Sequence, residues 1–592
     1  MSAFQPGAPF ALFDDGSGGA RVFHGPAGRL DCTGPDGLDT FFLDIAGASA
    51  AGRWVVLAAD FEAGYWLERR LQPLARAGGT LSALVFDSLS QLNAQETAAF
   101  LAARLADVPT HQRTAGVCDV RSDTGEEAFT AAVQRIQDYI AAGDCYQVNF
   151  TFGLDFLAYG HPLALYARLR QAQPVPYGAW VEFPDRQILS LSPELFLERS
   201  GSRLLSRPMK GTAPRGADGA EDAVLAAALV ASAKERAENV MIVDLIRNDL
   251  GRLASPGSVV VERLCAVETY PTVFQMVSDV AADVPGAEFA DIFRALFPCG
   301  SITGAPKIRA MQIIRELELA PRGLYTGALG WLAPDGDFRL NVAIRTLILQ
   351  EGRGRLGIGA GIVADSDPTR ELAECRSKAR FLTGLQPGFQ LIESLRLEAG
   401  NYPLLEMHLE RLKASAASLG FALDVDRVRH ELLEHAQGQP AGSHKTRLLL
   451  YADASLSLDS SPLGAPPAGP VGVVLAAEPL DSRDPLLRHK TTARGLYDAE
   501  LARLAPGVFD ALFLNERGEL CEGARSNLFV QRNGRLYTPP LASGLLGGVM
   551  RNKLLMEGRA EERVLYLQDL EQAQGIYISN AVRGLLPALL VL

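Results

Sequence analysis

The sequence predicts an α+β protein built from several domains. Its 592 residues are 48% hydrophobic and 21% charged, and at about 100–200 residues per domain this length allows roughly three to five units. Alternating apolar residues predict strands at residues 54–59 and 145–151, whereas helical spacing predicts helices at 96–105 and 126–142. Strands and helices occur together along the chain, so the fold class is expected to be mixed.

The composition excludes several classes of function. The net charge is −12 and no block of basic residues occurs, so neither a nucleic acid nor an anionic membrane is an expected partner. No apolar run reaches the roughly 18 residues of a membrane span. The seven cysteines are scattered without a C-x-x-C pair, which favours reduced thiols over a disulfide frame or a zinc site. The first residues, M-S-A-F-Q-P-G, lack a basic region followed by an apolar one, so no signal peptide is expected and the predicted location is cytoplasmic.

Segments rich in proline and glycine divide the chain into expected units. The first part carries no chemical motif and is expected to complete the core of the second unit; residues 41–45 within it are predicted to be a strand. The segment L-Q-P-G marks a boundary, and a proline-rich crossing at 460–470 separates two later lobes. The expected units are residues 1–120, 121–385 and 389–592, the last with lobes at about 389–459 and 471–592.

A lysine between a proline and a glycine is the first candidate catalytic residue. In S-R-P-M-K-G-T-A-P-R, Pro208 restricts the backbone before Lys210, and Gly211 permits an unusual turn after it. A lysine amine becomes a nucleophile when burial or a neighbour keeps part of it unprotonated. Glu194 lies one strand, a Ser-Gly-Ser turn and a second strand earlier, so an antiparallel hairpin would join the two as an acid–base and nucleophile pair. The alternatives are a solvated loop lysine and an exposed cross-strand ion pair.

Three further segments are suited to the carboxylates of a substrate. Arg345 lies in the apolar run V-A-I-R-T-L-I-L of a strand predicted at 340–349, where a charge needs a partner and a carboxylate suits arginine best. The loop at 298–307 places small residues before a predicted helix, which is a natural anion site. The glycine-rich run at 357–361 lacks the spacing of a dinucleotide fingerprint and fits a close backbone approach to a carboxylate better.

Acidic residues on two predicted helices form a candidate Mg2+ site. A long helical region carries Glu238, and a later helix capped by Asp367 places Glu371, Glu374 and Lys378 on one face. Glu238 and Glu374 could hold one Mg2+ that keeps several waters, although structural ion pairs have the same spacing.

The motifs of residues 120–385 carry a specific family resemblance. They are S-P-E, R-P-M-K-G-T-A-P-R-G, A-E-N-V-M-I-V-D-L-I-R-N-D-L-G, C-G-S-I-T-G-A-P-K and G-A-G-I-V-A-D-S-D-P. In this order they resemble the chorismate-using enzymes, which include anthranilate, aminodeoxychorismate, isochorismate and salicylate synthases. The resemblance implies an α/β sandwich with a Mg2+-dependent chorismate site. A lysine at position 210 favours the aminodeoxychorismate synthases, because anthranilate synthases carry a small residue there.

The same resemblance implies roles for individual residues. Lys210 would attack C2 of chorismate as the C4 hydroxyl leaves, ammonia would then attack C4 and expel the lysine, and Glu194 would be the general acid/base. Gln275 stands where many relatives carry an active-site histidine, so proton transfer by that histidine would be missing here. The ammonia is expected from a separate glutamine amidotransferase subunit, since no Cys–His–Glu amidotransferase segment is found. The implied Mg2+ ligands are Glu238 and Glu374, and the candidate substrate-binding residues are Arg345, Tyr325, Gly359, Ala360, Gly361, Ser301, Thr303 and Lys378.

The last expected unit, residues 389–592, has features suited to a phosphate-bearing cofactor. Lys490 lies in H-K-T-T-A-R, and Glu522 lies alone at a predicted strand end. A helix opens through glycines at 545–551, and a strand ends in small polar residues at 576–580. Such features suit a cofactor bound covalently through the lysine, with the acid at its ring nitrogen. A surface lysine and a surface acid remain the alternative.

The motifs of this unit carry a second resemblance. H-L-E-R-L-K-A-S-A, H-K-T-T-A-R, E-G-A-R-S-N-L-F and I-S-N-A resemble fold-type IV pyridoxal-phosphate (PLP) enzymes across residues 389–592. Aminodeoxychorismate lyases match best, and branched-chain and D-amino-acid transaminases share the fold. The family implies a two-lobed domain that forms homodimers. The implied roles are PLP attachment for Lys490, ring-nitrogen contact for Glu522, phosphate binding for Arg411, Gly548, Val549, Ser579 and Asn580, proton return for Ser394 and substrate binding for Arg494.

The two resemblances together predict consecutive reactions. The first half would make 4-amino-4-deoxychorismate, and the second would eliminate pyruvate from it, leaving 4-aminobenzoate for folate synthesis. One alternative is an anthranilate synthase component I fused to a PLP transaminase. Another is a synthase with a non-catalytic second half.

Overall fold

The computed structural model describes residues 9–270 and 273–591, which form two units joined near residue 388. The strands of the first unit are β1 (Ala11–Asp14), β2 (Ala20–Cys32), β3 (Trp54–Ala59), β4 (Leu81–Leu92), β5 (Gly116–Ser122), β6 (Gln147–Tyr159), β7 (Tyr177–Glu182), β8 (Gln187–Ser192), β9 (Leu195–Ser200), β10 (Arg203–Arg207), β11 (Met209–Pro214), β12 (Val260–Thr269), β13 (Val273–Asp283), β14 (Gly304–Ala305), β15 (Ala328–Leu332), β16 (Phe338–Val342), β17 (Thr346–Gln350) and β18 (Arg353–Ile362). Its helices are α1 (Leu38–Ala50), α2 (Gly64–Leu67), α3 (Ala94–Ala106), α4 (Glu126–Ala141), α5 (Pro162–Ala172), α6 (Gly219–Ala231), α7 (Ala233–Leu250), α8 (Phe289–Leu296), α9 (Lys307–Leu317) and α10 (Pro368–Thr383).

The strands of the first unit form two layers that pack face to face. One layer runs β5-β6-β18-β17-β8-β7-β1, and the other runs β4-β3-β15-β16-β9-β10-β13. The long strand β2 pairs with β1 and with β4, so it joins the layers. Val181 and Ile188 of one layer share a buried core with Val56 and Leu329 of the other, while helices cover the outer faces. The predicted α/β sandwich is confirmed.

Two predicted strands of the first unit are wrong or incomplete. Residues 41–45 lie inside α1, because Phe41, Phe42 and Ile45 point one helical face into the core. The strand predicted at 340–349 is interrupted between β16 and β17, where Arg345 adopts a left-handed φ of +48°. An apolar run alone cannot reveal such a break.

The second unit has two lobes, as predicted. Its strands are β19 (Leu391–Glu398), β20 (Ser443–Leu450), β21 (Leu456–Pro462), β22 (Val471–Leu475), β23 (Val508–Leu514), β24 (Leu520–Gly523), β25 (Asn527–Arg532), β26 (Arg535–Thr538), β27 (Ala560–Glu562), β28 (Gly575–Asn580) and β29 (Gly584–Leu590). Its helices are α11 (Leu405–Leu419), α12 (Val425–Gln437), α13 (Gly495–Arg503), α14 (Val549–Met556) and α15 (Leu567–Glu571). The small lobe is the antiparallel sheet β19-β20-β21 with α11 and α12. In the large lobe the pairings β22-β23-β24-β25-β28-β29 return to β22, so six strands close into a ring.

The two units share a continuous apolar contact. Cys118 and Tyr159 of the first unit belong to the same buried cluster as Phe389 and Leu412 of the small lobe. The rings of Tyr159 and Phe389 meet edge to face at 5.7 Å between centroids. All seven cysteines are buried and unpaired. Across residues 9–270 and 273–591, no helix combines the length and the hydrophobicity needed to cross a membrane.

Candidate active sites

Lys210 and Glu194 are neighbours in a buried corner of the first unit. β9 and β10 form the predicted hairpin with Arg207 opposite Leu195, so β11 begins beside Glu194. Glu194 is 4% exposed, and its Oε1 accepts a 2.7 Å hydrogen bond from Ser301 Oγ. Burial raises the pKa of Glu194, while the Ser301 hydrogen bond and the charge of Lys210 oppose the rise. A carboxyl that keeps its proton more readily than usual can protonate a leaving hydroxyl.

The side chain of Lys210 lies against the glycine backbone of β18. A Cβ built on Gly361 would lie 3.8 Å from Lys210 Nζ and 2.7 Å from Nε2 of Gln147. Gln147 is fully buried, and neither its Nε2 nor its Oε1 has a hydrogen-bond partner among the described residues. A buried amide without a partner is costly unless a ligand supplies one. We therefore add Gln147 to the site. The sequence analysis missed this residue, although the alternation in C-Y-Q-V-N-F-T indicates that its side chain faces inwards.

Gln275 supports the backbone after Lys210. Its Nε2 donates to the carbonyl of Gly211 at 2.9 Å, and its Oε1 accepts from Thr212 Oγ1 at 2.8 Å. Gly211 has the expected positive φ of +87°. Here the glutamine holds the turn that positions the lysine.

Glutamates from two helices face Lys210. Burial raises the pKa of Glu238, the charges of Glu235 and Glu374 add to that rise, and the charge of Lys210 opposes it. Glu374 also forms a 2.9 Å ion pair with Lys378. In the described part of the chain, no three His, Cys, Asp or Glu side chains converge as a ready-made metal cluster. Although burial opposes it, the charge of Lys378 lowers the pKa of Glu374, so this carboxylate stays available to Mg2+, which uses few protein ligands and retains water.

Arg345 is a half-buried cation that lacks a carboxylate partner. Burial lowers the pKa of Arg345, and no acid in residues 9–270 and 273–591 pairs with it. Its left-handed φ of +48° is a strained conformation for a non-glycine residue, as found at ligand sites. An incoming carboxylate would provide the missing partner.

Several substrate-binding candidates make hydrogen bonds within the protein. Lys378 Nζ donates to the carbonyl of Gly359 at 2.9 Å, so it braces β18. Ser301 orients Glu194, and the Thr303 hydroxyl donates to a carbonyl of its own loop at 3.0 Å. These three side chains position other groups.

The apolar residues at 324–332 predict a strand that carries Tyr325, but the strand begins only at β15 and Tyr325 lies in the turn before it. Its ring packs where a side chain on Gly357 would otherwise lie, 2.1 Å from the ideal Cβ position. Burial raises the pKa of Tyr325, which keeps its hydroxyl available as a donor.

All predicted cofactor residues of the second unit line one cavity of about 930 Å³. It lies between the two lobes and includes residues of the first unit at its outer end, among them His111, Tyr159 and Glu351. Gly495 packs against His111, since a Cβ there would lie 3.6 Å from the His111 Cβ. The residues in the cavity wall that the sequence analysis named are Lys490, Glu522, Arg411, Gly548, Val549, Ser579, Asn580, Ser394 and Arg494.

Lys490 and Glu522 form the reactive part of this cavity. Burial lowers the pKa of Lys490 to about 8, and the positive charges of Arg411 and Arg494 add to the effect. Burial raises the pKa of Glu522 to about 8, although Tyr497 donates a 2.8 Å hydrogen bond to its Oε1. A lysine that releases its proton readily suits covalent attachment of an aldehyde, and a buried acid suits a ring nitrogen.

Arg411 is held by a network that the sequence analysis missed. Glu393 accepts hydrogen bonds from Arg411 Nε at 2.9 Å and contacts Nδ1 of His408 at 2.6 Å. Burial alone would raise the pKa of Glu393, but the charges of Arg411 and His408 hold it down to about 2. The sequence signal for this network was Glu393 in the apolar run L-I-E-S-L. As argued for Arg345, a charge among apolar residues needs a partner.

The opposite wall fits a phosphate. The hydroxyl of Ser579 is buried without a hydrogen-bond partner among the described residues. A Cβ on Gly548 would lie 1.8 Å from Asn527 Oδ1, so only glycine fits before α14. Asn580 Oδ1 accepts from the N–H of Val582 and thereby shapes the turn. An unpaired hydroxyl beside a helix start is a fitting phosphate cradle.

Two other predicted residues, Ser394 and Arg494, differ in the contacts that their side chains make within the protein. Ser394 lies on β19 and lines the cavity. Arg494 is already engaged, because its Nε pairs with Asp498 at 2.8 Å and its Nη2 donates to the carbonyl of Ala524 at 2.7 Å. Arg494 is therefore restrained at the cavity wall.

The sandwich and its buried lysine site define a chorismate-binding enzyme, to which a PLP-type domain is attached. Residues 38–384 match the chorismate binding enzyme family, and because this is more than half of the chain, the chain belongs to that family. Residues 390–591 match the amino-transferase class IV family.

The similar proteins include both aminodeoxychorismate synthases and anthranilate synthases. Over 255 residues the chain is 46% identical to aminodeoxychorismate synthase component 1 of Bacillus subtilis (strain 168), covering 43% of this chain and 54% of that protein. Over 272 residues it is 43% identical to anthranilate synthase component 1 of Thermus thermophilus, covering 46% of this chain and 59% of that protein. The chain thus spans about half the length of these curated relatives.

A solved structure supports the fold of the first unit. Anthranilate synthase component I from Streptococcus pneumoniae TIGR4 superposes with a TM-score of 0.52 at 24% identity, covering 64% of this chain and 92% of that one. At this identity the likeness shows the fold alone.

Proposed function

We propose that the chain catalyses two consecutive steps of 4-aminobenzoate synthesis for folate. The first unit aminates chorismate at C4, and the second removes pyruvate from 4-amino-4-deoxychorismate. Overall identity does not separate para- from ortho-amination, since relatives of both kinds match to similar extents. The observation that carries the proposal is Lys210, whose amine lies beside Glu194 and against Gly361.

The proposed first step uses Lys210 as a nucleophile. The amine of Lys210 bonds to C2 of chorismate and gives up a proton, the ring electrons shift, and the C4–O bond breaks. Glu194, whose pKa is raised by burial, gives its proton to the departing hydroxyl, which leaves as water. Ammonia then bonds to C4 with the reverse electron shift, and the bond between C2 and Lys210 breaks.

The remaining residues of the first site bind the substrate. The uncompensated Arg345 suits a carboxylate of chorismate. Glu238 and Glu374 are proposed to hold Mg2+, which would neutralise a carboxylate close to the ring. The unpartnered Gln147 amide faces the same space and can orient the ring or the ammonia.

The proposed second reaction needs PLP, which supplies an electron sink when bound. Lys490 anchors it, Glu522 contacts its ring nitrogen, and Arg411 with Ser579 binds its phosphate. The amine of Lys490 would take the proton from C4 of the substrate. The hydroxyl of Ser394 returns a proton to the departing three-carbon unit. Release of pyruvate leaves an aromatic ring.

Partners follow from the same chemistry. Ammonia comes from a separate glutamine amidotransferase subunit. A reducing, cytoplasmic location is supported by the seven unpaired cysteines. A homodimer through the second unit is supported by exposed apolar side chains of the large lobe such as Met556, which is 81% exposed.

Product analysis with chorismate, Mg2+ and ammonium, with and without PLP, tests the proposal. Lys210→Ala is expected to stop formation of 4-aminobenzoate. Lys490→Ala is expected to accumulate 4-amino-4-deoxychorismate and to lose the visible absorbance of bound PLP. Lys413→Ala, on an exposed face of α11, is the control. Anthranilate from the wild type, or unchanged 4-aminobenzoate from Lys210→Ala, would refute the first assignment.

A further inference from the structure

Positive side chains gather in the wall of the second cavity, away from the anchoring lysine. Lys445, Arg447, Arg494, Arg525 and Arg583 all line it. Burial lowers the pKa of Lys445, and the charges of the four arginines lower it further. Five cations within electrostatic reach of one another are unexpected in a chain of net charge −12.

The strand register places two of these cations beside Ser394. On the antiparallel pair β19 and β20, Ser394 lies directly opposite Arg447, and Arg396 lies opposite Lys445. Directly opposed residues share one face of a sheet. The side chains of Arg447 and Lys445 therefore stand on the face that carries Ser394 into the cavity.

Three of the five cations have neither an acidic partner nor a side-chain hydrogen bond in the described part of the chain. Arg494 pairs with Asp498, and Arg525 donates to the carbonyl of Phe509. For Lys445, Arg447 and Arg583, by contrast, no acid of residues 9–270 and 273–591 lies within ion-pair distance. Asp459 is opposite Arg447 on β21 but does not approach it closely enough to pair.

The cofactor does not account for these charges. Its phosphate is provided for by Arg411, the Ser579 hydroxyl and the start of α14, and Arg411 is locked by Glu393. Arg447 and Lys445 lie on β20, whereas Arg411 lies on α11. Their natural complement is a second anion that enters with the substrate.

We propose that Arg447, Lys445 and Arg583 form a recognition site for the carboxylates of a dicarboxylic substrate, so that the cavity selects dianions over monocarboxylate amino acids. This inference rests on the proposed lyase function, whose substrate carries one carboxylate on the ring and another on the enolpyruvyl group. Arg447, next to Ser394, binds the carboxylate of the departing three-carbon unit. Lys445 and Arg583 extend the positive surface towards the ring carboxylate.

The test separates binding from chemistry. The PLP-loaded full-length chain and its Arg447→Gln, Arg583→Gln and Arg447→Lys variants are assayed with supplied 4-amino-4-deoxychorismate. Loss of a charge-assisted carboxylate contact is expected to raise KM about 10- to 100-fold in Arg447→Gln with a smaller change in kcat. Arg447→Lys should recover part of the loss. Arg427→Gln, which removes an exposed α12 cation paired with Glu431, is the matched control.

A second measurement does not depend on turnover. Isophthalate, a dicarboxylate, should perturb the fluorescence of bound PLP at lower concentration than benzoate, and Arg447→Gln should remove this difference. Unchanged KM in both glutamine variants, or equal responses to the two acids in the wild type, would overturn the inference. A wild type that makes no 4-aminobenzoate from 4-amino-4-deoxychorismate, yet still prefers isophthalate, would overturn the lyase function and leave the dianion site standing.

Discussion

Replacing Ser301 with alanine removes the hydroxyl that donates a 2.7 Å hydrogen bond to Glu194 Oε1. That bond favours the ionised carboxylate, so its loss raises the pKa of Glu194 and adds to the effect of burial. A hydrogen bond to a charged group contributes about 1.5–3 kcal/mol. Since one pKa unit corresponds to about 1.36 kcal/mol, the expected rise is about 1–2 units.

The pH dependence of chorismate consumption measures this shift. Glu194 must carry a proton to release the C4 hydroxyl, so the alkaline limb of kcat/KM should move to higher pH by about 1–2 units in Ser301→Ala. The concentration of free ammonia is held constant across the series. Thr303→Val is the control, because that hydroxyl bonds to its own loop. An alkaline limb that stays in place or moves to lower pH would refute Glu194 as the proton donor.

Three further substitutions test individual contacts. Arg345→Leu should raise KM for chorismate about 100-fold in steady-state assays, because a buried carboxylate contact is lost; a KM near that of the wild type would contradict the assignment. Gly548→Ala should abolish PLP binding in an absorbance titration, because the added methyl overlaps a side-chain oxygen 1.8 Å away, whereas Gly547→Ala meets nothing closer than 3.6 Å and should bind normally. Glu393→Gln should weaken PLP binding about 10-fold by fluorescence titration, since Arg411 loses its charged anchor; equal affinity would show that Arg411 is positioned without it.

Local connections made much of the first site predictable. Glu194 and Lys210 are joined by one hairpin, so alternation and a short turn were enough to bring them together. Glu238 and Glu374 lie on helices whose spacing and caps are visible in the sequence. The motif resemblance then assigned roles to residues already placed on suitable elements.

Other features depend on contacts between distant segments. The isolation of the Gln147 amide results from the packing of β6, β18 and β11, which no local pattern describes. The left-handed backbone of Arg345 interrupts a run that looks like a continuous strand. Residues 41–45 show the opposite case. Their apolar residues suggested a short strand, but they lie on one face of a helix that packs against the core.

The strands β6 and β18 run from one reaction centre to the other. Gly361 and Gln147 mark the chorismate end of this pair, while Gly352 and Tyr159 lie in the wall of the second cavity. Along β18 and the turn before it, the nine residue steps from Gly352 to Gly361, at about 3.3 Å each, separate the two ends by about 30 Å. No side chain spans that distance, so under the proposed function the aminated intermediate would have to detach completely before the elimination could begin. The covalent linkage keeps the two proposed active sites in equal number and holds the second cavity within a fixed distance of the first.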